Sequence, residues 1–137
     1  MRGLKGEQVL MRIHVGERDR YRGKPLYEQI VHLLRERGYA GATVFRGVMG
    51  FGAGGHVAND AIELASFDLP LVIECVETQE RVEAVLPEID AMMDAGLITL
   101  ERAKVILYRP PLGDDQQPHE RPAEHRIDIT GDWRQRS

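Results

Sequence analysis

From Gln8 to Gly16 apolar and polar residues alternate: Val9, Met11, Ile13 and Val15 point one way, Leu10, Arg12 and His14 the other. A period of two predicts a strand buried on one face. From Lys24 to Arg37 the period becomes helical, with Leu26, Ile30, Leu33 and Leu34 on one stripe. Pro25 suits a first helical turn and Gly38 a C-terminal stop. Ala42 to Met49 reads as a second strand, with Val44 and Val48 on one face and Phe45 on the other. Leu69 to Val76 reads as a third, entered through Pro70, a residue that suits a strand start.

Thr78 then offers a helix N-cap, and Glu80 suits the positive end of the helix. Val82, Val85, Leu86, Ile89, Met92 and Met93 follow at helical spacing, with Gly96 as the stop. Pro87 lies inside this stripe and is expected to kink or split the helix. Lys104 to Tyr108 is the last expected strand, closed by Pro110-Pro111. The order is β-α-β-β-α-β. It predicts an α+β, ferredoxin-like domain: a four-stranded antiparallel sheet with two helices on one face. The other sheet face receives no helix, yet Leu10, Phe45 and Val72 belong to it or its neighbourhood. An uncovered apolar face predicts a subunit interface, or a face that the C-terminal tail covers.

Composition adds bounds. The 137 residues suit one domain. We place it at residues 1–109, with 110–137 as a proline-rich, polar, flexible extension in which Arg126 to Thr130 could add an edge strand and Trp133 an anchor. The formal net charge of −4 and the interrupted basic clusters, Arg18 to Arg22 and Arg35 to Arg37, do not suggest nucleic acid. No apolar run is long enough to span a membrane and no signal-peptide core is present. The single cysteine, Cys75, sits in an apolar run, which fits a small core residue in a reducing compartment. The expectation is a cytoplasmic protein without membrane insertion.

The chemistry concentrates in one stretch, Arg46-Gly-Val-Met-Gly-Phe-Gly-Ala-Gly-Gly-His-Val-Ala-Asn59, which opens a long connection running to Asp68. Glycines at 50, 52, 54 and 55 expose backbone N–H groups with little side-chain obstruction, as an anion-binding nest requires. No Gly-Lys-Ser/Thr follows, so this is not a Walker motif, and the fold order is wrong for a dinucleotide fingerprint. The residues alone leave two accounts open: a mobile loop, or a phosphate cradle built on Gly50, Phe51, Gly52, Gly54 and Gly55. His56 could reach a bound phosphate, and Lys24 adds charge at an expected helix start. His14 and His32 read as structural. His119, Glu120 and His125 fit no standard metal spacing. No nucleophile–base arrangement appears, so no enzyme is expected and no catalytic or metal residue is assigned.

Two segments resemble signatures of the short prokaryotic family catalogued as domain of unknown function 190: Gly23-Lys-Pro-Leu-Tyr-Glu-Gln-Ile-Val31 and Gly41-Ala-Thr-Val-Phe-Arg-Gly-Val-Met-Gly-Phe-Gly52. The resemblance spans roughly residues 7 to 109 and groups the chain with PII-like signalling proteins. Gly50-Phe-Gly52 with Gly55-His56 is similar to the base of the PII signalling loop, the T-loop. The resemblance implies a homotrimer, an adenine nucleotide such as AMP or ADP held between subunits, and a target protein, such as a membrane transporter or an enzyme, contacted by the loop. The second glycine-rich phosphate loop of PII proteins is absent. Asp94-Ala-Gly-Leu-Ile-Thr-Leu-Glu-Arg-Ala-Lys104 stands in its place, leaving Arg102 and Lys104 as the cations there. The alternative that the architecture allows is a CutA-like structural or metal-responsive trimer.

Overall fold

The computed structural model of the chain describes residues 3–52, 58–59 and 68–111. The first strand, β1 (Gly6–Gly16), leads into a small ribbon of β2 (Arg20–Tyr21) and β3 (Lys24–Pro25). Arg22 (φ 51°) and Gly23 (φ 79°) make its two-residue turn. Two consecutive left-handed residues match the twist of a hairpin, and the glycine adopts its share without steric cost. Helix α1 (Leu26–Glu36) follows. Pro25 is its N-cap rather than a member of the first turn, because its ψ of 124° keeps it extended in β3. Gly38 (φ 75°) stops α1 as expected, with Tyr39 N–H donating back to Leu34 O at 3.1 Å.

Next come β4 (Thr43–Arg46), β5 (Met49–Gly50), β6 (Ala58–Asn59), β7 (Pro70–Glu77), α2 (Gln79–Met92) and β8 (Leu97–Val105). The main sheet has the order β4-β7-β1-β8, with every pairing antiparallel. This is the ferredoxin-like architecture that the element order predicts. Leu26, Ile30 and Leu34 of α1 and Val82, Val85 and Ile89 of α2 close over Met11, Ile13, Val15, Leu71, Ile73 and Cys75. All of these are buried. Thr78 caps α2, its Oγ1 accepting from Arg81 N–H at 3.3 Å.

Three boundaries differ from the sequence reading. The second strand is not continuous from Ala42 to Met49. Its ladder ends at the Arg46–Leu71 pair, because the next residue of β7 is Pro70, which has no N–H to donate. Gly47 N–H still donates to Pro70 O at 2.7 Å, and the chain then leaves the sheet with Val48 exposed. Helix α2 runs through Pro87 without a break in the helical assignment, and it ends at Met92 rather than at Gly96. The last strand begins at Leu97 and stops at Val105, instead of covering Lys104 to Tyr108. Gly96, at φ 134°, turns the chain beside β1, where a Cβ would lie 2.6 Å from His14 O. The ladder therefore starts at once, from His14–Leu97 to Gly6–Val105.

A polar knot joins the two helices. Glu77 is fully buried at the end of β7 and accepts from Ala40 N–H at 3.0 Å. Arg81 pairs with Glu77 at 3.6 Å and donates to Arg37 O at 2.6 Å and Gly38 O at 3.3 Å, the open carbonyls at the end of α1. Tyr39 donates to Arg81 O at 3.0 Å. Burial, with the nearby Cys75 and Glu77, pushes the Tyr39 phenol up from its ordinary range. The knot fixes α1 against α2 and so sets the sheet's covered face.

Candidate functional site

The stem of the glycine stretch is a two-residue ribbon in which Met49 pairs with Asn59 and Gly50 with Ala58. Two of its glycines have a packing reason. A Cβ on Gly47 would sit 2.7 Å from Pro70 Cγ, and one on Gly50 would sit 3.0 Å from the same atom. Both therefore let the chain cross closely over the Pro70 ring. A Cβ on Gly52 would meet nothing within 4 Å. Of the described glycines in this stretch, Gly47 and Gly50 pack on the Pro70 ring and Gly52 does not. Phe51 is 75% exposed and shares this edge with exposed Val48 and Met49. Gly54, Gly55 and His56 lie outside the described residues, as do the tail segments Arg126–Thr130 and Trp133 and the histidines at 119 and 125.

The turn after β1 ties both ends of the long connection. Glu17 pairs with Arg46 at the end of β4. Arg18 N–H donates to Asp68 Oδ1 at 2.8 Å, and Glu17 N–H to Leu69 O at 2.9 Å. A Cβ on Gly16 would lie 2.4 Å from Asp68 Oδ1, so a larger residue here would displace the carboxylate that accepts from Arg18 N–H. The same end of the sheet carries exposed Arg18, Arg20, Arg22 and Lys24, with the Arg22 guanidinium 5.0 Å from the Tyr21 ring centroid. Lys24 thus stands on β3 just ahead of α1, at the Gly50 end of the sheet. Sequence reasoning missed Glu17, Arg46 and Asp68. Arg46 and Asp68 bound the connection in the sequence, but only the fold brings the three together.

Arg102 and Lys104 lie elsewhere. By register they oppose Val9 and Glu7, whereas Pro70, under Gly50, opposes Gly16. Seven residues along β1 separate Val9 from Gly16, about 23 Å at the usual strand rise. β4 and β8 are also opposite edges of the sheet. Arg102 is 87% exposed and reaches Glu7 at 4.0 Å. Within one chain the glycine stem and these two cations therefore cannot touch one small ligand.

The helix-free face of the sheet is built from the alternate residues. Phe45, Val72, His14 and Leu97 form one row across all four strands, and Thr43, Glu74, Arg12 and Thr99 the next. Arg12 donates from Nε to Glu74 Oε2 at 3.1 Å and from a terminal N–H to Glu101 Oε1 at 2.8 Å. The hydrogen bond to Glu74, then the charge of Glu101, hold the guanidinium above its ordinary range, against some desolvation. Phe45 is 52% and Leu97 55% exposed. Among the described residues no group of three His, Cys, Asp or Glu side chains could hold a metal, and no helix is long and apolar enough to cross a membrane.

Known proteins align with this arrangement. The UPF0166 protein of Methanocaldococcus jannaschii is 35% identical over 92 residues, covering 66% of this chain and 84% of the relative. A UPF0166 protein of Aquifex aeolicus is 36% identical over 100 residues, covering 73% of this chain and 94% of the relative. Among solved structures, CPII from Thiomonas intermedia K12, a nitrogen regulatory PII-like protein bound to ADP, AMP and bicarbonate, superposes with a TM-score of 0.52 at 18% identity, over 72% of this chain and 88% of that one. That likeness is one of fold. Residues 8–105 match the DUF190 family (Uncharacterized ACR), and the chain belongs to that family, on a PII-like, ferredoxin-like fold.

Proposed function

We propose that this protein is a PII-like regulator that assembles as a homotrimer through its helix-free sheet face and binds an adenine nucleotide, AMP or ADP, between subunits. It acts by binding rather than turnover, in the cytoplasm. The separation of Gly50 from Arg102 and Lys104 carries the reading. A site that uses both the backbone near Gly52 and those cations needs two copies of the chain, one giving each end. The apolar row on the uncovered face supplies the means of bringing copies together. The ligand chemistry follows the nucleotides bound by CPII. Gly50, Phe51, Gly52, Gly54, Gly55, His56 and Lys24 would form the phosphate side, with Arg102 and Lys104 entering from the neighbour. A nucleotide that makes backbone contacts in only one arrangement of the connection shifts its population, and with it the affinity for a target protein such as a transporter or enzyme.

Calorimetry of the wild-type chain against AMP, ADP and ATP is the first test, with light scattering for the assembly. Gly52→Val and Arg102→Ala should each abolish binding heat. Mixing the two variants should restore a fraction of the sites, because some clefts then pair two intact halves. Absence of heat with every nucleotide sinks the nucleotide reading, and recovery absent from the mixture sinks the two-copy site.

A further inference from the structure

In the sequence, acids interrupt the basic cluster from Arg18 to Arg22, and the fold gives those acids other partners. Asp19 Oδ2 accepts from Gly16 N–H at 2.9 Å. The main-chain O of Asp19 accepts from Leu26 N–H at 2.8 Å, which seats the β2–β3 hairpin on the start of α1. Glu17 is held by Arg46, and Asp68 Oδ1 accepts from Arg18 N–H. Glu28, in the first turn of α1, accepts from the Tyr27 hydroxyl at 3.4 Å. Arg18, Arg20, Arg22 and Lys24 stay exposed, and among the described residues no salt bridge joins any of them to a carboxylate. From Gly16 to Pro25, together with the tied Arg46 and Asp68, five cations stand against three carboxylates, in a chain of formal net charge −4. Tyr21 packs against the core, and the Arg22 guanidinium lies 5.0 Å from its ring centroid. Stacking on an anchored ring orients that guanidinium toward a partner before one arrives.

We propose that the β2–β3 hairpin, through Arg18, Arg20 and Arg22, docks a carboxylate-rich peptide segment of a target protein. Three of the four exposed cations are arginines. A guanidinium takes a carboxylate through two parallel N–H donors, which an ammonium cannot do. An anionic membrane is the weaker match, because basic segments that bind one carry about four to eight Lys or Arg, and the excess here is two. The turn that carries Arg18 also holds both ends of the glycine connection, through Asp68 and Arg46, so docking and the connection share one anchor. The inference rests on the regulator reading only for the existence of a target protein. Peptide binding is measured without nucleotide, so its failure leaves the nucleotide site standing.

Fluorescence anisotropy of a labelled oligoglutamate peptide, titrated with the full-length chain at low salt, tests this. Wild type should bind it saturably and lose affinity as salt is raised. The double variant Arg20→Glu/Arg22→Glu should bind at least about tenfold more weakly. Arg20→Lys/Arg22→Lys keeps the charge and loses the planar fork, and should bind about threefold more weakly or worse. Lys5→Glu/Arg35→Glu makes an equal charge change at exposed positions before β1 and at the end of α1, and should bind like wild type. Far-UV circular dichroism should be the same for all four proteins. Absence of saturable binding by wild type overturns the inference. So does an equal loss in the Lys5/Arg35 variant, which would make the attraction one of overall charge. Full affinity in the lysine variant overturns the arginine site. Phosphatidylglycerol vesicles are the second arm: capture of wild type by them, lost in Arg20→Glu/Arg22→Glu while peptide binding persists, assigns the hairpin to a membrane and overturns the peptide site.

Discussion

On β1 and β7, residues one position apart live in different surroundings. Met11, Ile13, Leu71 and Ile73 face the helices at 1% exposure or less. Leu10, Arg12, His14, Val72, Glu74 and Val76, from the same strands, are only half-buried. Among the described residues, the buried part of the covered face is apolar but for Glu77 at its end, which accepts from Ala40 N–H and pairs with Arg81 at 3.6 Å. The open face mixes apolar residues with one arginine that links two carboxylates on its neighbouring strands. The first pattern maximises burial inside one chain. The second has apolar area at both edges and one arginine shared between two carboxylates, which suits contact with another molecule.

The sharpest way to break the comparison is a matched pair of substitutions. Ile13→Ala on the covered face removes buried methylenes from a packed core and should cost about 2–5 kcal/mol, read by urea unfolding with an unchanged m-value. Leu97→Asp on the open face should alter monomer stability by about 0.5 kcal/mol or less, as surface changes usually do, while abolishing assembly in light scattering. Equal losses of stability from both would show that the open face is merely an incomplete core.

Much of this contrast is legible in the letters. The alternation of Val9 to Val15, the strand start at Pro70, the cap at Thr78 and the stop at Gly38 are local signals, and the fold obeys them. The unclear parts depend on residues distant in sequence. Leu97 to Val105 is an edge strand whose exposure follows no clean period, so its start could only be recognised beside His14. The glycines at 47 and 50 invite a ligand until Pro70 is placed beneath them. Gly52 has no such packing reason. Arg102 and Lys104 look like partners of the glycine stem in a list of cations, but the register puts them at the far end.

Cys75 offers a quieter probe of the covered face. It is 4% exposed, and burial, followed by the charges of Glu77 and Glu74, pushes its thiol up to about 12. The thiolate is the reactive form. At pH 8 a thiol reagent should therefore label the native chain more than about 100-fold more slowly than the urea-unfolded chain. Labelling of a Leu97→Asp monomer should remain just as slow, since the covered face does not depend on assembly. Fast labelling in that variant would mean that the two faces are coupled and that the monomer loosens once its neighbours leave.

The smallest effect belongs to an ion pair outside both faces. Arg37, following α1, binds Glu88 of α2 through two hydrogen bonds, one of them 2.9 Å, with both side chains well exposed. The hydrogen bond from Arg37 lowers the Glu88 carboxyl below its ordinary value. A carboxyl whose native pKa is depressed stabilises the fold above the unfolded value and loses that contribution as pH falls through the native one. The loss should therefore fall below about pH 4.3, the ordinary glutamate value, and it should be slight because water and salt screen an exposed pair. Arg37→Ala should move the Glu88 carboxyl resonance in an NMR titration back to the ordinary range, with hardly any change in unfolding midpoint at pH 7. Arg12 makes similar bonds on the open face, where assembly would exclude the water that weakens Arg37. Arg12→Ala should therefore reduce assembly at pH 8 while Arg37→Ala does not. Equal indifference to both substitutions would place the Arg12 network, like Arg37, on a surface that stays wet.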